Sequence, residues 1–261
     1  MRALSIAATG MLAQQLNVEV ISNNIANLNT TGFKRQRAEF NDLLYQDLLR
    51  AGTQSSETGT VVPSGIQIGL GVKPAAVYRI TEQGNILITN NQLDLAINGK
   101  GFFAVELPSG ETGYTRAGAL GRSPTGDLVT AQGYVVQPGI TIPDDAVDIT
   151  VNPQGEVFVK VDGQTAPLNV GQIQLATVPN EAGLQAIGDS LFLETPASGL
   201  ATLGTPGSAG FGEIQQSALE TSNVDAVAEI TNLISAQRAY EMNSKVIQAT
   251  DEMLASTVQI R

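Results

Sequence analysis

The chain has 261 residues, a length that suits one large domain or two modest ones. It contains no His, Cys or Trp, which excludes a Ser-His-Asp triad, a Cys nucleophile, a disulfide framework and any ordinary zinc or haem site. Its net charge of −11 argues against nucleic acid and anionic membrane as partners, because phosphate binding needs clustered Lys and Arg.

Gly and Pro divide the chain. All 11 prolines lie between Pro63 and Pro206, and of 27 glycines only Gly10 and Gly32 fall outside residues 51–216. Charge follows the same division, at +1 for residues 1–50, −9 for 51–216 and −3 for 217–261. A turn-rich acidic middle therefore separates two ends that can be helical. The expected fold class is α+β, with discontinuous N- and C-terminal α-helices forming a coiled-coil-like pair and a central all-β domain. The expected boundaries are 1–32 and 217–261 for the helical domain, 33–72 for a connecting segment with a long loop, and 73–216 for the β domain.

At the N-terminus, Leu4, Met11, Val18 and Ile25 recur every seven residues, with a companion row at Ala7, Gln14, Ile21 and Leu28. This is an a/d seam with one polar break, and it predicts a helix of 28 residues, about 42 Å long. The helix is expected to stop in Asn27-Leu28-Asn29-Thr30-Thr31-Gly32, a turn-forming cluster. Ile6, Leu12 and Val20 fall off the seam, so they are expected to bury between copies of the chain. Arg2 ahead of the apolar run Ala3–Ala13 superficially matches a secretory signal. Ser5, Thr9 and Gly10 interrupt that run and no small-x-small cleavage site follows, so export would need a dedicated route. No stretch approaches the ~18 apolar residues that span a membrane.

Lys34-Arg35-Gln36-Arg37 holds too few basic residues for nucleic acid in so acidic a chain, and reads as a solvated helix start. Gln36–Arg50 then looks helical, with Phe40, Leu43, Leu44 and Leu48 on one face. Residues 51–65 are polar and breaker-rich. They suit either a flexible linker or a loop that docks on a neighbouring subunit, and the residues leave both readings open.

The middle is rich in short β-prone runs, among them Val77–Ile80, Ile86–Thr89, Leu93–Ile97, Phe102–Glu106 and Val157–Val161. Pro124-Thr125-Gly126, Pro153-Gln154-Gly155 and Asp162-Gly163 supply turns between them. Asp144, Asp145 and Asp148 could in principle bind Ca²⁺ or serve a hydrolase, but their spacing matches no EF-hand loop and a solvated turn explains them. Gly99-Lys100-Gly101 lacks the frame of a phosphate-binding loop and reads as a hairpin turn. No catalytic residue, metal ligand or cofactor is expected.

The C-terminal end mirrors the first helix. Leu219, Ala226, Leu233, Tyr240, Ile247 and Leu254 form an apolar row at period seven. The companion row expected beside it is Ile230, Gln237, Ser244, Asp251 and Val258, with Ile234, Val246 and Met253 widening the stripe. Ser222 and Asp225 look like a variant capping box, which would open a helix of about 60 Å from Ser222 to Arg261. A helix that long overshoots a globular body of roughly 18 Å radius of gyration, so part of its stripe needs another partner.

Ser22-Asn23-Asn24-Ile25-Ala26-Asn27-Leu28-Asn29-Thr30-Thr31-Gly32-Phe33-Lys34 resembles the signature of bacterial flagellar rod and hook proteins, and within it Asn23, Asn24, Ala26, Asn27, Gly32 and Phe33 are the motif positions. Ser222-Asn223-Val224-Asp225 and Gln237-Arg238-Ala239-Tyr240-Glu241 resemble the family's second signature. Leu95-Ala96-Ile97-Asn98-Gly99-Lys100-Gly101-Phe102-Phe103 and Tyr114-Thr115-Arg116-Ala117-Gly118 are similar to its central β motifs. Length and the 46–65 stretch are most similar to the family's distal-rod branch, with a proximal rod or hook paralogue as the alternative. The resemblance implies no catalysis and no cofactor. It implies a helical homopolymer with the helix pair as inner tube and the β domain outside. It places the chain in the basal body, crossing the periplasm to the outer membrane. The partners it implies are the proximal rod proteins, the hook protein, the P ring and L ring proteins and the flagellar type III export apparatus, and residues 46–65 would help keep the rod straight and stiff. Outside the family, a polysaccharide-binding surface β-protein or a carboxylate hydrolase would be the competing classes.

Overall fold

The computed structural model describes residues 2–49, 64–163 and 166–259. The chain divides into two compact units, one of Met1–Ile25, Gln36–Tyr78 and Ala226–Arg261, the other of Ala26–Arg35 and Arg79–Asp225. The class is α+β as expected, with a helix at each end and strands between. Residues 36–78 group with the helices, whereas the expected scheme sets them largely apart as a connecting segment.

In the first unit, α1 spans Arg2–Ala26 and α2 spans Ala226–Gln259. The 34 residues of α2 make it about 51 Å long. Both helices are shorter than their periodicity suggests. After Ala26 the chain turns, with the Asn27 carbonyl accepting the Thr30 N–H at 3.2 Å and Gly32 in the left-handed region at φ +68°. Leu28 therefore sits in a turn and not on the seam. Ser222 lies four residues before α2, and its hydroxyl accepts the Val224 N–H at 3.3 Å, so it does not cap the helix. Leu219 belongs to the strand Ala218–Glu220.

Gln36–Arg50 is not helical where it is described. Gln36–Asp42 is a strand paired with Val72–Arg79. Tyr45–Leu49 is a second strand, paired antiparallel with Ile66–Gly69, with Tyr45 opposite Gly69 and Gln46 opposite Ile68. The spacing of Phe40, Leu43, Leu44 and Leu48 does fit a helix face. Backbone partners distant in sequence decide otherwise, as is common for strands. Residues 50–63, the greater part of the expected loop, lie outside the described residues.

Among the described residues, the second unit is built on a nine-stranded sheet with smaller sheets beside it. Phe102–Glu106 is its central strand. It pairs on one edge with Thr112–Thr115, and its other edge is shared between Leu175–Thr177 and Val135–Val136. Both its faces are covered. Phe103 and Val105 point into the main core with Leu95, Ile97 and Leu175, while Phe102 and Ala104 join a second cluster with Tyr114, Leu184 and Phe192. That is why its sequence runs apolar without alternation. The other expected strands are present as Val72–Arg79, Ile86–Ile88, Leu95–Asn98 and Glu156–Val161. Gly126 and Gly155 close the two Pro-x-Gly turns at φ +90° and +80°. No described helix is long and apolar enough to cross a membrane.

Candidate functional site: a helix seam and a buried ion node

Within the first unit, α1 and α2 run antiparallel. Asn24 Nδ2 donates to Glu229 Oε2 at 3.3 Å, and a Cβ placed on Gly10 would fall 2.8 Å from Asn243 Nδ2. Both pairs of residue numbers add to 253, so one register runs along the whole pair. On α2, Ala226, Leu233 and Ile247 of the apolar row are half-buried, whereas Tyr240 and Leu254 of the same row are exposed. Its companion is not the expected one. Glu229, Ala236 and Thr250 are buried and Asn243 is half-buried, whereas Ile230, Gln237 and Asp251 are exposed and only Ser244 is half-buried. The Val258 side chain lies outside the description. The true row is offset by three residues from the main one, not four. It is small and polar, so an apolar criterion does not see it.

On α1, Ala7, Ala13, Val20, Ile21 and Asn24 are buried, and Leu4, Met11, Gln14, Val18 and Ile25 are half-buried. Val20 is thus inside its own unit and not left over for a neighbouring copy. Ile6 is half-buried, and Leu12 is 65% exposed. Gly10, Ala13 and Ala236 keep the seam thin, so bulkier residues fall to its flanks.

Asn24 closes the seam at its upper end. Its Oδ1 accepts the Gln36 N–H and its Nδ2 donates to the Gln36 carbonyl, both at 2.8 Å, so one side chain imitates a strand neighbour. Of the other motif residues, Asn23 and Ala26 face outward, and Asn27 Oδ1 accepts the Thr30 hydroxyl at 3.1 Å.

The second unit holds a buried ion node. Glu220 is 1% exposed, Arg116 5% and Lys34 6%. Lys34 Nζ donates to Glu220 Oε1 at 2.6 Å and to the Glu82 carbonyl at 2.7 Å. Arg116 Nε donates to Glu220 Oε2 at 2.5 Å. Its remaining nitrogens donate to the carbonyls of Gly101, Ile97 and Gly99. The Gly84 N–H completes the Glu220 carboxylate at 2.9 Å, and the Gly32 N–H donates to the Glu220 carbonyl at 2.9 Å. Each charge of the node is thereby paired and hydrogen-bonded, the condition under which burial is tolerated. Burial alone would raise the Glu220 pKa, but the Arg116 charge and the bonds from Lys34 and Arg116 outweigh it and hold the carboxyl below its ordinary value. Burial dominates at Lys34 and lowers its pKa despite the Glu220 carboxylate.

Two further contacts lie beside the node. Asn223 Oδ1 accepts the Arg35 N–H at 2.7 Å, and its Nδ2 donates to the carbonyls of Ile80 and Glu82, both at 2.9 Å. Gly32 packs so closely that an added Cβ would lie 2.8 Å from the Arg116 carbonyl carbon. Phe33 is half-buried here. Lys34 is therefore not a solvated helix start. It is a buried cation whose partner lies 186 residues away, which local reading could not supply. The only sequence signal was that Lys34, Arg116 and Asn223 each stand inside one of the quoted motifs.

The remaining candidates sit in ordinary polar contacts. Asp144 is ion-paired with Arg122, and Asp148 Oδ1 accepts from Gln92 at 2.8 Å. Among the described residues, no group of acidic side chains is arranged to hold a metal ion. Gly99-Lys100-Gly101 is not a hairpin. It links two strands of different sheets, and its Gly99 and Gly101 carbonyls accept from Arg116.

Comparison with known proteins bears on the family. Residues 4–34 match the flagella basal body rod protein family, residues 96–159 the flagellar hook protein FlgE/F/G D1 domain, and residues 215–260 the flagellar basal body rod FlgEFG protein C-terminal family. The chain is 64% identical over 261 residues to the flagellar basal-body rod protein FlgG of Caulobacter vibrioides, covering all of both chains. It is 54% identical to the protein of that name from Agrobacterium fabrum, over 97% of each chain. It is 37% identical to that of Bacillus subtilis, over 100% of this chain and 99% of the relative. The chain belongs to the flagellar basal-body rod protein family.

Proposed function

We propose that copies of this chain polymerise helically into the distal rod of the flagellar basal body, with the α1–α2 pair as inner tube and the β unit outward. The rod acts as a drive shaft that passes motor torque to the hook. It crosses the periplasm to the outer membrane, after export by the flagellar type III apparatus without a cleaved signal peptide. Its neighbours are the proximal rod proteins, the hook protein and the P and L rings. Family membership favours this structural reading over a glycan-binding one.

One observation carries the polymer reading. Ile230 and Ile234 stand exposed on one flank of α2, and Met242 and Val246 on the other. α1 covers neither stripe. Burying such side chains is worth roughly 1.5–3 kcal/mol each, and a helix pair gains that only from further helices. A head-to-tail contact that does not close yields a filament. The seam residues Leu4, Met11, Val18, Ile21, Ile25, Leu233 and Ile247 then hold each subunit's pair together, while the flanks join subunits.

Ile234→Asp and Val246→Asp test this. Both positions are exposed in the single chain, so its circular dichroism should stay unchanged while rods fail to form and basal bodies stop short of the hook. Rods of normal length and normal motility in both variants would refute it.

A further inference from the structure

The chain passes between its two units at four places, 25/26, 35/36, 78/79 and 225/226. On the β-unit side, three segments that flank these places meet at one carboxylate. Residues 30–35 precede the second crossing, residues 80–84 follow the third, and residues 220–223 precede the fourth. Glu220 reaches all three. Its side chain binds Lys34 and the Gly84 N–H, and its own backbone carbonyl receives the Gly32 N–H. Asn223 repeats the pattern one step on, tying Arg35 to Ile80 and Glu82. The Ile80 N–H also donates to the Arg35 carbonyl at 2.9 Å, and the Thr221 N–H to Asn85 at 2.8 Å. Arg116, held by three carbonyls of the β unit, fixes the carboxylate from beneath.

This arrangement differs from three segments docked separately. Two cations, Lys34 and Arg116, share one anion in a site closed to water. Without the carboxylate charge, both remain buried and uncompensated, so no segment can stay seated while another leaves. The other charged groups near Lys34 do not replace Glu220. Glu82 offers only its backbone carbonyl, its side chain lying 3.7 Å from Arg35, and Glu181 acts on Lys34 without a hydrogen bond.

We propose that Glu220 is a charge latch that seats residues 30–35, 80–84 and 220–223 as one anchor, so that the segments hold or release together. The latch is a positioning device for a subunit that carries torque. To that extent it rests on the rod reading, but its test needs no polymer.

Hydrogen exchange of the full-length monomer provides that test. Glu220→Gln keeps the shape and removes the charge. The amides of Gly32, Arg35, Ile80, Gly84, Thr221 and Asn223 should exchange faster together, by roughly a hundredfold or more, as expected when one partner of a buried ion pair is lost. Those of Phe103–Val105 should keep their protection. Loosening of one segment alone, or no change, overturns the latch. Loss of protection at Phe103–Val105 as well also overturns it, because Glu220 would then simply support the core. Lys34→Met, which leaves the Glu220–Arg116 pair intact, should give the same joint loosening with smaller amplitude. If Glu220→Gln does not fold, this variant decides, and loosening of residues 30–35 alone would refute the proposal. Joint loosening in Glu220→Gln beside a wild-type chain that forms no rods would count against the polymer reading only.

Discussion

Gly32→Ala measures how tightly the segment after α1 is seated. Two separate penalties apply at Gly32. Its φ of +68° is left-handed, which costs a residue with a Cβ about 1–2 kcal/mol. The new Cβ would also stand 2.8 Å from the Arg116 carbonyl carbon and 2.9 Å from the Ala117 nitrogen. These are backbone atoms, and Arg116 cannot shift easily while its guanidinium is bonded on every side. Overpacking of this kind adds about 1–3 kcal/mol. The total is about 3 kcal/mol, or a drop of roughly 6–12 °C in Tm for a unit of this size. Gly133→Ala separates the two penalties. Gly133 has φ +90°, at least as unfavourable for alanine, with nothing within 4 Å of an added Cβ. It should show the backbone cost alone. Thermal and urea unfolding of the full chain, followed by circular dichroism, would give both values. Equal effects from the two substitutions would refute the close seating of Gly32 against Arg116.

Two further outcomes follow from the same geometry. Leu233→Asp or Ile247→Asp places a charge in the α1–α2 seam, which should expose both helices to protease while residues 79–225 remain resistant and rods are absent; normal rods from either variant would remove these residues from the seam. The acid response of the wild type should exceed that of Glu220→Gln. The Glu220 pKa is lowered by folding, so its contribution is full above its ordinary value of 4.5 and is lost as pH falls through the folded value. Lys34 has the opposite sign of effect: its pKa is also lowered, so its burial opposes folding at neutral pH and that opposition fades as pH rises towards 10.5. Parallel acid unfolding of the two proteins would contradict the Glu220 assignment.

The helices and the strand-rich middle were legible because burial there leaves a periodic apolar trace. Leu233 and Ile247 on α2, and Phe102–Glu106 in the sheet, are examples. What escaped was decided by partners far along the chain. The Gln36–Asp42 strand depends on Val72–Arg79 and the Tyr45–Leu49 strand on Ile66–Gly69, and nothing local distinguishes Phe40 and Leu48 on strands from the same residues on a helix. The second row of α2 escaped for a different reason. Glu229, Ala236 and Thr250 are buried and Asn243 is half-buried because the backbones approach closely, and close approach selects small residues and paired polar ones over large apolar ones. The ion node combines both difficulties. A lysine in an acidic chain reads as solvated until the glutamate that buries it is known.

The register of the helix pair makes its two ends unlike. Arg2, where α1 begins, falls opposite Asp251, so residues 252–259 of α2 run past the last residue that α1 can cover. Met253 and Leu254, on this overhang, are exposed. At the opposite end the pair is tied off by Asn24, Gln36 and Glu229. Among the described residues, one end is closed by these bonds, and at the other α2 runs on alone with Leu254 exposed. A column built from such pieces has a direction, and a subunit arriving at its tip meets a different surface from one arriving at its base.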